Sequence, residues 1–98
     1  MSLPVVMRSE ASRDAEEARD HLEVQRAGLG QGFLYRLKET LARVGGMPEM
    51  YGVVWRNVRA ARLRKFTYVV YYRVHPDRVE VMAVMHGSRD ASTWQGRA

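Results

Sequence analysis

Apolar and polar residues change rhythm once along this chain, near Met50, and the change divides it into a helical half and a strand half. Val5-Val6-Met7 opens the first half as a short apolar run suited to a strand. Ala11, Ala15, Ala18 and Leu22 then recur at helical spacing and make one apolar face. Ser9 or Ser12 is the expected N-cap, and Asp14, Glu16 and Glu17 sit in early turns, where the helix dipole favours negative charge. Small alanines on the buried face allow close packing against another helix. Gly28-Leu29-Gly30 breaks the pattern, and Phe33, Leu34, Leu37, Leu41 and Val44 carry a second helix. Gly45-Gly46 should end it, and Pro48 prevents its resumption. Two helices joined by a few residues predict an antiparallel hairpin.

The second half reads as strands. Val58 to Leu63 is one, and Arg64-Lys65 lies at a tight connection. The clearest strand covers 66–74: Phe66, Tyr68, Val70, Tyr72 and Val74 fall on one face, and Thr67, Val69, Tyr71 and Arg73 on the other. His75-Pro76-Asp77-Arg78 is a turn, and a last strand runs from Val79 to Met85 or His86. The predicted order is β-α-α-β-β-β. It makes an α+β fold: a small, mostly antiparallel sheet covered on one face by the N-terminal helix hairpin.

Composition narrows the class. A chain of 98 residues, 46% apolar, fits one domain with one core. Within it, residues 1–4 are expected to be a disordered or vector-derived start and residues 90–98 a basic tail. A domain this small gains stability from a bound partner. Absence of cysteine excludes disulfides, thiolate metal sites and cysteine nucleophiles, and no metal or cofactor is expected. No apolar run reaches a membrane span, and Leu3 to Met7 is too short for a signal-peptide core, so a cytoplasmic location and no membrane partner are expected.

Charge is uneven. Residues 1–50 hold seven basic and eight acidic side chains, whereas residues 51–98 hold nine and three. Arg56, Arg59, Arg62, Arg64 and Lys65 follow one another without an intervening acid. Such a cluster attracts phosphate or an acidic protein segment; the plainer alternative is a solvated edge strand whose charges block aggregation.

Ala15 through Gln25, then Gly28-Leu29-Gly30 and Phe33, resemble the helix hairpin of ParE-like proteins. Phe66 to Val74 resembles their central strand, and Val79 to Met85 with His86-Gly87-Ser88-Arg89-Asp90 resembles their last strand and its exit. Trp94 and Arg97 fit the short basic tail. Across about residues 5–97 the chain therefore resembles the RelE/ParE toxin superfamily, with Ala91 departing from a commonly found proline. The resemblance implies the toxin of a type II toxin–antitoxin system, with a cognate antitoxin as partner and a hetero-oligomeric complex. It offers two targets: DNA gyrase for ParE-like members, and mRNA on the ribosome for RelE-like members.

RNA cleavage requires a group to activate the 2′-hydroxyl, cations for the developing charge and an acid for the leaving oxygen. His86 and Arg89 are the catalytic candidates if the chain is a nuclease. Arg62, Arg64 and Lys65 suit phosphates, and Tyr68 or Tyr71 a base. Against cleavage, the functional strand arginine of RelE-like nucleases aligns with aliphatic Val69. Arg73 lies four residues on, roughly 13 Å away along a strand. Their C-terminal tyrosine is also missing, leaving Trp94. His86 has a structural alternative as a strand-end histidine, and Arg89-Asp90 one as a local ion pair. The ParE branch is therefore preferred over the ribonuclease. A nucleic-acid-binding module without toxicity is a further alternative. The target- or phosphate-binding set is Arg56, Arg59, Arg62, Arg64, Lys65, Tyr71 and Arg73. An acidic, partly apolar antitoxin segment that folds on contact is expected to cross the hairpin and the sheet, meeting Arg59, Arg62 or Arg73.

Overall fold

The computed structural model describes residues 2–98. Strand β1 (Val5–Met7) leads into helix α1 (Ser9–Gln25), and helix α2 (Leu29–Gly46) returns antiparallel to it. Strands β2 (Val53–Trp55), β3 (Val58–Arg62), β4 (Tyr68–Val74) and β5 (Val79–His86) follow, and a short helix α3 (Ala91–Gln95) ends the chain. The sheet order is β1-β5-β4-β3-β2, with β1 parallel to β5 and every other pair antiparallel.

Ala11, Ala15, Ala18 and Leu22 are buried as their spacing predicts, and they meet Phe33, Leu37 and Val44 of α2 over Val70, Tyr72, Val79 and Val81 of the sheet. Two glycines make the hairpin possible. Gly28 turns the chain at φ 89, and a Cβ on Gly30 would lie 2.6 Å from the Arg19 carbonyl oxygen. Glu23 caps the start of α2, accepting from the Gly28 and Gly30 amides at 2.9 Å each.

Four expectations need correction. Neither Ser9 nor Ser12 caps α1: Arg8 is the N-cap, and its guanidinium, which has donors and no acceptor, makes no side-chain cap, while its amide donates to Val81 O at 3.0 Å and carries β1 straight into the helix. The start is not loose at Leu3 and Pro4. The Leu3 amide donates to Gly45 O, and Pro4 O accepts from Val79, both at 2.9 Å; Met1 lies outside the described residues. The sheet has a further strand, β2. It is also covered on both faces, because the tail folds as α3 and Trp94 closes a second core over Val58, Val69, Tyr71, Met82, Ala83 and Met85.

A bulge in β5 puts the successive residues Met82 and Ala83 together in the second core. Tyr71 pairs with Ala83 but Tyr72 with Val81, so Met82 is the extra residue. Tyr72, fully buried on the hairpin side, donates its hydroxyl to Pro48 O at 2.7 Å and ties the exit of α2 to the sheet. Burial pushes its phenol up to about 12 from 10.0. A tyrosine pKa raised by folding contributes stability that is complete below its ordinary value and disappears as pH rises through the folded one. Stability should therefore fall between pH 10.0 and about 12. Burial also raises Tyr68 and Tyr71, so Tyr72→Phe should flatten that fall without abolishing it. Urea melts of both proteins through this window check it; parallel declines would show that Tyr72 has no part in the alkaline loss.

Candidate functional site

The basic run of residues 56–65 does not form one patch, because strand alternation and two turns disperse it. Arg59 lies on the hairpin face, where it donates to Tyr51 O at 2.6 Å and Glu49 O at 3.3 Å and holds the α2–β2 connection. Arg62 lies on the opposite face, exposed beside Gly87. Arg56, at φ 51, stands at the β2–β3 turn with its guanidinium 4.3 Å from the centroid of Trp55. Arg64 and Lys65 are exposed at the β3–β4 turn, at the other end of the sheet.

Tyr71 and Arg73 are not the open surface groups that strand parity suggests, because α3 covers this face. Tyr71 is buried and stacked on Trp94, with ring centroids 4.3 Å apart and planes at 14°. Arg73 pairs with Glu80 at 3.2 Å. Glu80 also accepts from His75 at 2.8 Å, and that hydrogen bond, helped by Arg73 and Arg8, holds its carboxyl below the usual range. Asp90 does not pair with Arg89; it accepts from the Ser92 amide at 2.9 Å and caps α3, which lowers its pKa. Arg97 of the expected basic tail is held by Asp14 at 2.6 Å.

The nuclease candidates do come together. His86 and Arg89 line a cleft of about 330 Å³ between α1 and the end of β5, with His21, Tyr68, Asp14 and Glu17. Sequence reasoning missed His21 here; its position next to Leu22, at the margin of the buried stripe, was the available signal. His86 is engaged at both ring nitrogens. Nδ1 accepts from the Ser88 amide at 3.1 Å and lies 2.7 Å from the Ser88 hydroxyl, so the proton is assigned to Nε2, which lies 2.7 Å from Thr67 Oγ1. It must lose a hydrogen bond before it can exchange a proton with a substrate. Tyr68, raised by burial, is no base at neutral pH. Val69 is buried beneath α3. Among the described residues no set of three or more His, Asp or Glu gathers to hold a metal, and no helix is long and apolar enough to cross a membrane.

An open five-stranded sheet with a helix hairpin on one face and a short helix on the other defines a small α+β domain. The sequence matches the family model described as "ParE toxin of type II toxin-antitoxin system, parDE" over residues 5–91, and the chain belongs to that family of type II toxins. Its fold matches a chain of the "Chromosomal ParDE TA system from P. aeruginosa" with a TM-score of 0.66 at 13% identity, covering 87% of this chain and 96% of that one. No curated protein sequence gives a significant match.

Proposed function

We propose that this toxin inhibits growth by binding DNA gyrase, with no RNA cleavage of its own, and that a cognate antitoxin neutralises it. The gyrase reading comes from the resemblance to ParE-like toxins, and membership of the ParE toxin family supports it. The observation that favours binding over cutting is the state of His86, held between Thr67 and Ser88, while aliphatic Val69 is buried on the other face of the sheet. A general acid or base needs a free lone pair or proton aimed at the substrate. Arg73, the nearest substitute cation on the strand, is committed to Glu80.

The cleft that unites His86, Arg89 and His21 is the one feature that favours the ribonuclease, so the test runs both assays on one preparation. Supercoiling by gyrase should be inhibited, and mRNA on programmed ribosomes should stay intact. His86→Ala should leave the inhibition unchanged. Ribosomal cleavage that disappears with His86→Ala or Arg89→Ala would overturn the proposal.

The antitoxin segment needs apolar and acidic parts. Met47, Met50, Val53 and Val54 are exposed along the α2 exit and the β2 edge, beside a groove of about 730 Å³, and these support its apolar contact. Of the three arginines expected to meet its acids, Arg62 is the exposed one, while Arg59 and Arg73 are engaged within the fold. Arg62→Glu should slow association with the antitoxin and flatten its salt dependence. Stopped-flow binding across salt reads this, and an unchanged rate moves the acidic contact elsewhere.

A further inference from the structure

We propose that the trough between the tip of the helix hairpin and the β3–β4 turn binds single-stranded nucleic acid. Leu29, Lys65 and Phe66 are shared by two adjoining clefts of about 390 and 710 Å³, which makes them one trough running from His21 and His86 to Tyr35 and Arg36. Arg26, Arg36 and Lys65 stand along it, and no carboxylate lines it. Arg26 and Lys65 are exposed and have no ion-pair partner among the described residues; Arg36 shares Glu39 at 3.3 Å. The neighbouring cleft differs, because Asp14 and Glu17 line it and repel phosphate.

Rings alternate with these cations. Phe66 and Tyr68 both rest edgewise on buried Phe33, with centroids 5.8 and 5.1 Å away, so the core fixes their orientation before any ligand arrives. Tyr35 is 65% exposed, and the Arg36 guanidinium lies 5.3 Å from its ring centroid. Lys65 holds φ 65, a left-handed conformation uncommon outside glycine, at the junction of the two clefts. The α2 N-terminus does not supply the anion site, since Glu23 already occupies the Gly28 and Gly30 amides.

A cationic track interleaved with fixed rings suits a strand whose phosphates meet the charges and whose unpaired bases stack. An acidic peptide would use the cations and leave the rings without a role. Duplex bases, already stacked, cannot reach Tyr35 and Phe66.

Fluorescence anisotropy of labelled dT10 and rU10 with the intact protein tests the proposal. Both should bind, with log K falling against log salt at a slope of roughly −2 for three cations on a single strand. Arg26→Glu/Lys65→Glu should weaken binding by about tenfold or more and flatten that slope. Tyr35→Ala, at a side chain outside the core, should weaken it by about fivefold or more and keep the slope. The control Arg56→Glu/Arg78→Glu makes the same charge change at the opposite end of the sheet and should have the smaller effect. No binding at low salt overturns the proposal. So do indifference to Tyr35→Ala, an equal effect of the control, and displacement by decaglutamate as effective as by unlabelled dT10.

Discussion

Replacing Trp94 with alanine is expected to lower stability by about 3–5 kcal/mol and the melting temperature by roughly 15–30 °C in a domain of this size. The indole is 5% exposed although it belongs to a five-residue helix at the chain's end. It stacks on Tyr71 and meets Trp55 edge-on at 5.9 Å. Beneath it lie Val69, Met82, Ala83 and Met85, over which α3 is the one helix on that side of the sheet among the described residues. Truncation therefore removes a large apolar side chain and also loosens the lid over an apolar sheet face. Most of a small domain's net stability is at stake. Thermal melts read the loss directly. A shift below about 5 °C would mean that α3 opens at little cost and that the second core is not part of the cooperative unit.

That second core explains which parts of the fold were legible. Both helices and the hairpin between them follow from periodicity, because each helix presents one apolar stripe to one core, and the β3–β4–β5 meander follows from apolar runs set between turn residues. The far side of the sheet was not legible as buried, although β5 carried a signal. Val81 to Met85 is an unbroken apolar run, the mark of a strand covered on both faces. Strand β2 was hidden for another reason. It is three residues long, its two valines are exposed, and its turn places Arg56 at positive φ where glycine is usual, so neither alternation nor turn chemistry announces it.

The site was less legible than the fold, because side-chain function depends on partners remote in sequence. Strand parity assigned Tyr71 and Arg73 to the same face correctly, but it could not show that Trp94 covers one and Glu80 neutralises the other. In the same way, Arg59 and Arg62 are three residues apart and lie on opposite faces, one fastened to a loop and one exposed to solvent. His86 and Arg89 line one cleft because they share one strand exit; His21, which reaches the same cleft from α1, needed the tertiary fold.

The largest polar effect should come from Asp14→Ala, at about 2–4 kcal/mol, a buried-pair loss reduced for partial exposure. The side chains of Asp14 and Arg97 are 13% and 21% exposed, and their two hydrogen bonds measure 2.6 and 3.1 Å. The pair's second role is to cover a sheet edge. Strand β1 pairs with β5 only from Val79 to Val81, so the rest of that edge has no neighbouring strand. Asp14 accepts from the Val84 amide at 3.1 Å, and Arg97 donates to Met82 O at 3.2 Å. Alanine at position 14 thus leaves a part-buried guanidinium, raised in pKa chiefly by its Asp14 hydrogen bond, without its acid and uncovers a strand edge open to pairing with another chain. Asp14→Asn should cost less, since its amide oxygen can still accept from Val84. In a double-mutant cycle, Asp14→Ala and Arg97→Ala should be non-additive, because each alone strands the other. Urea melts of the four proteins measure this. Additive losses below about 1 kcal/mol would make the pair no stronger than an exposed one, and water alone would then satisfy the β5 edge.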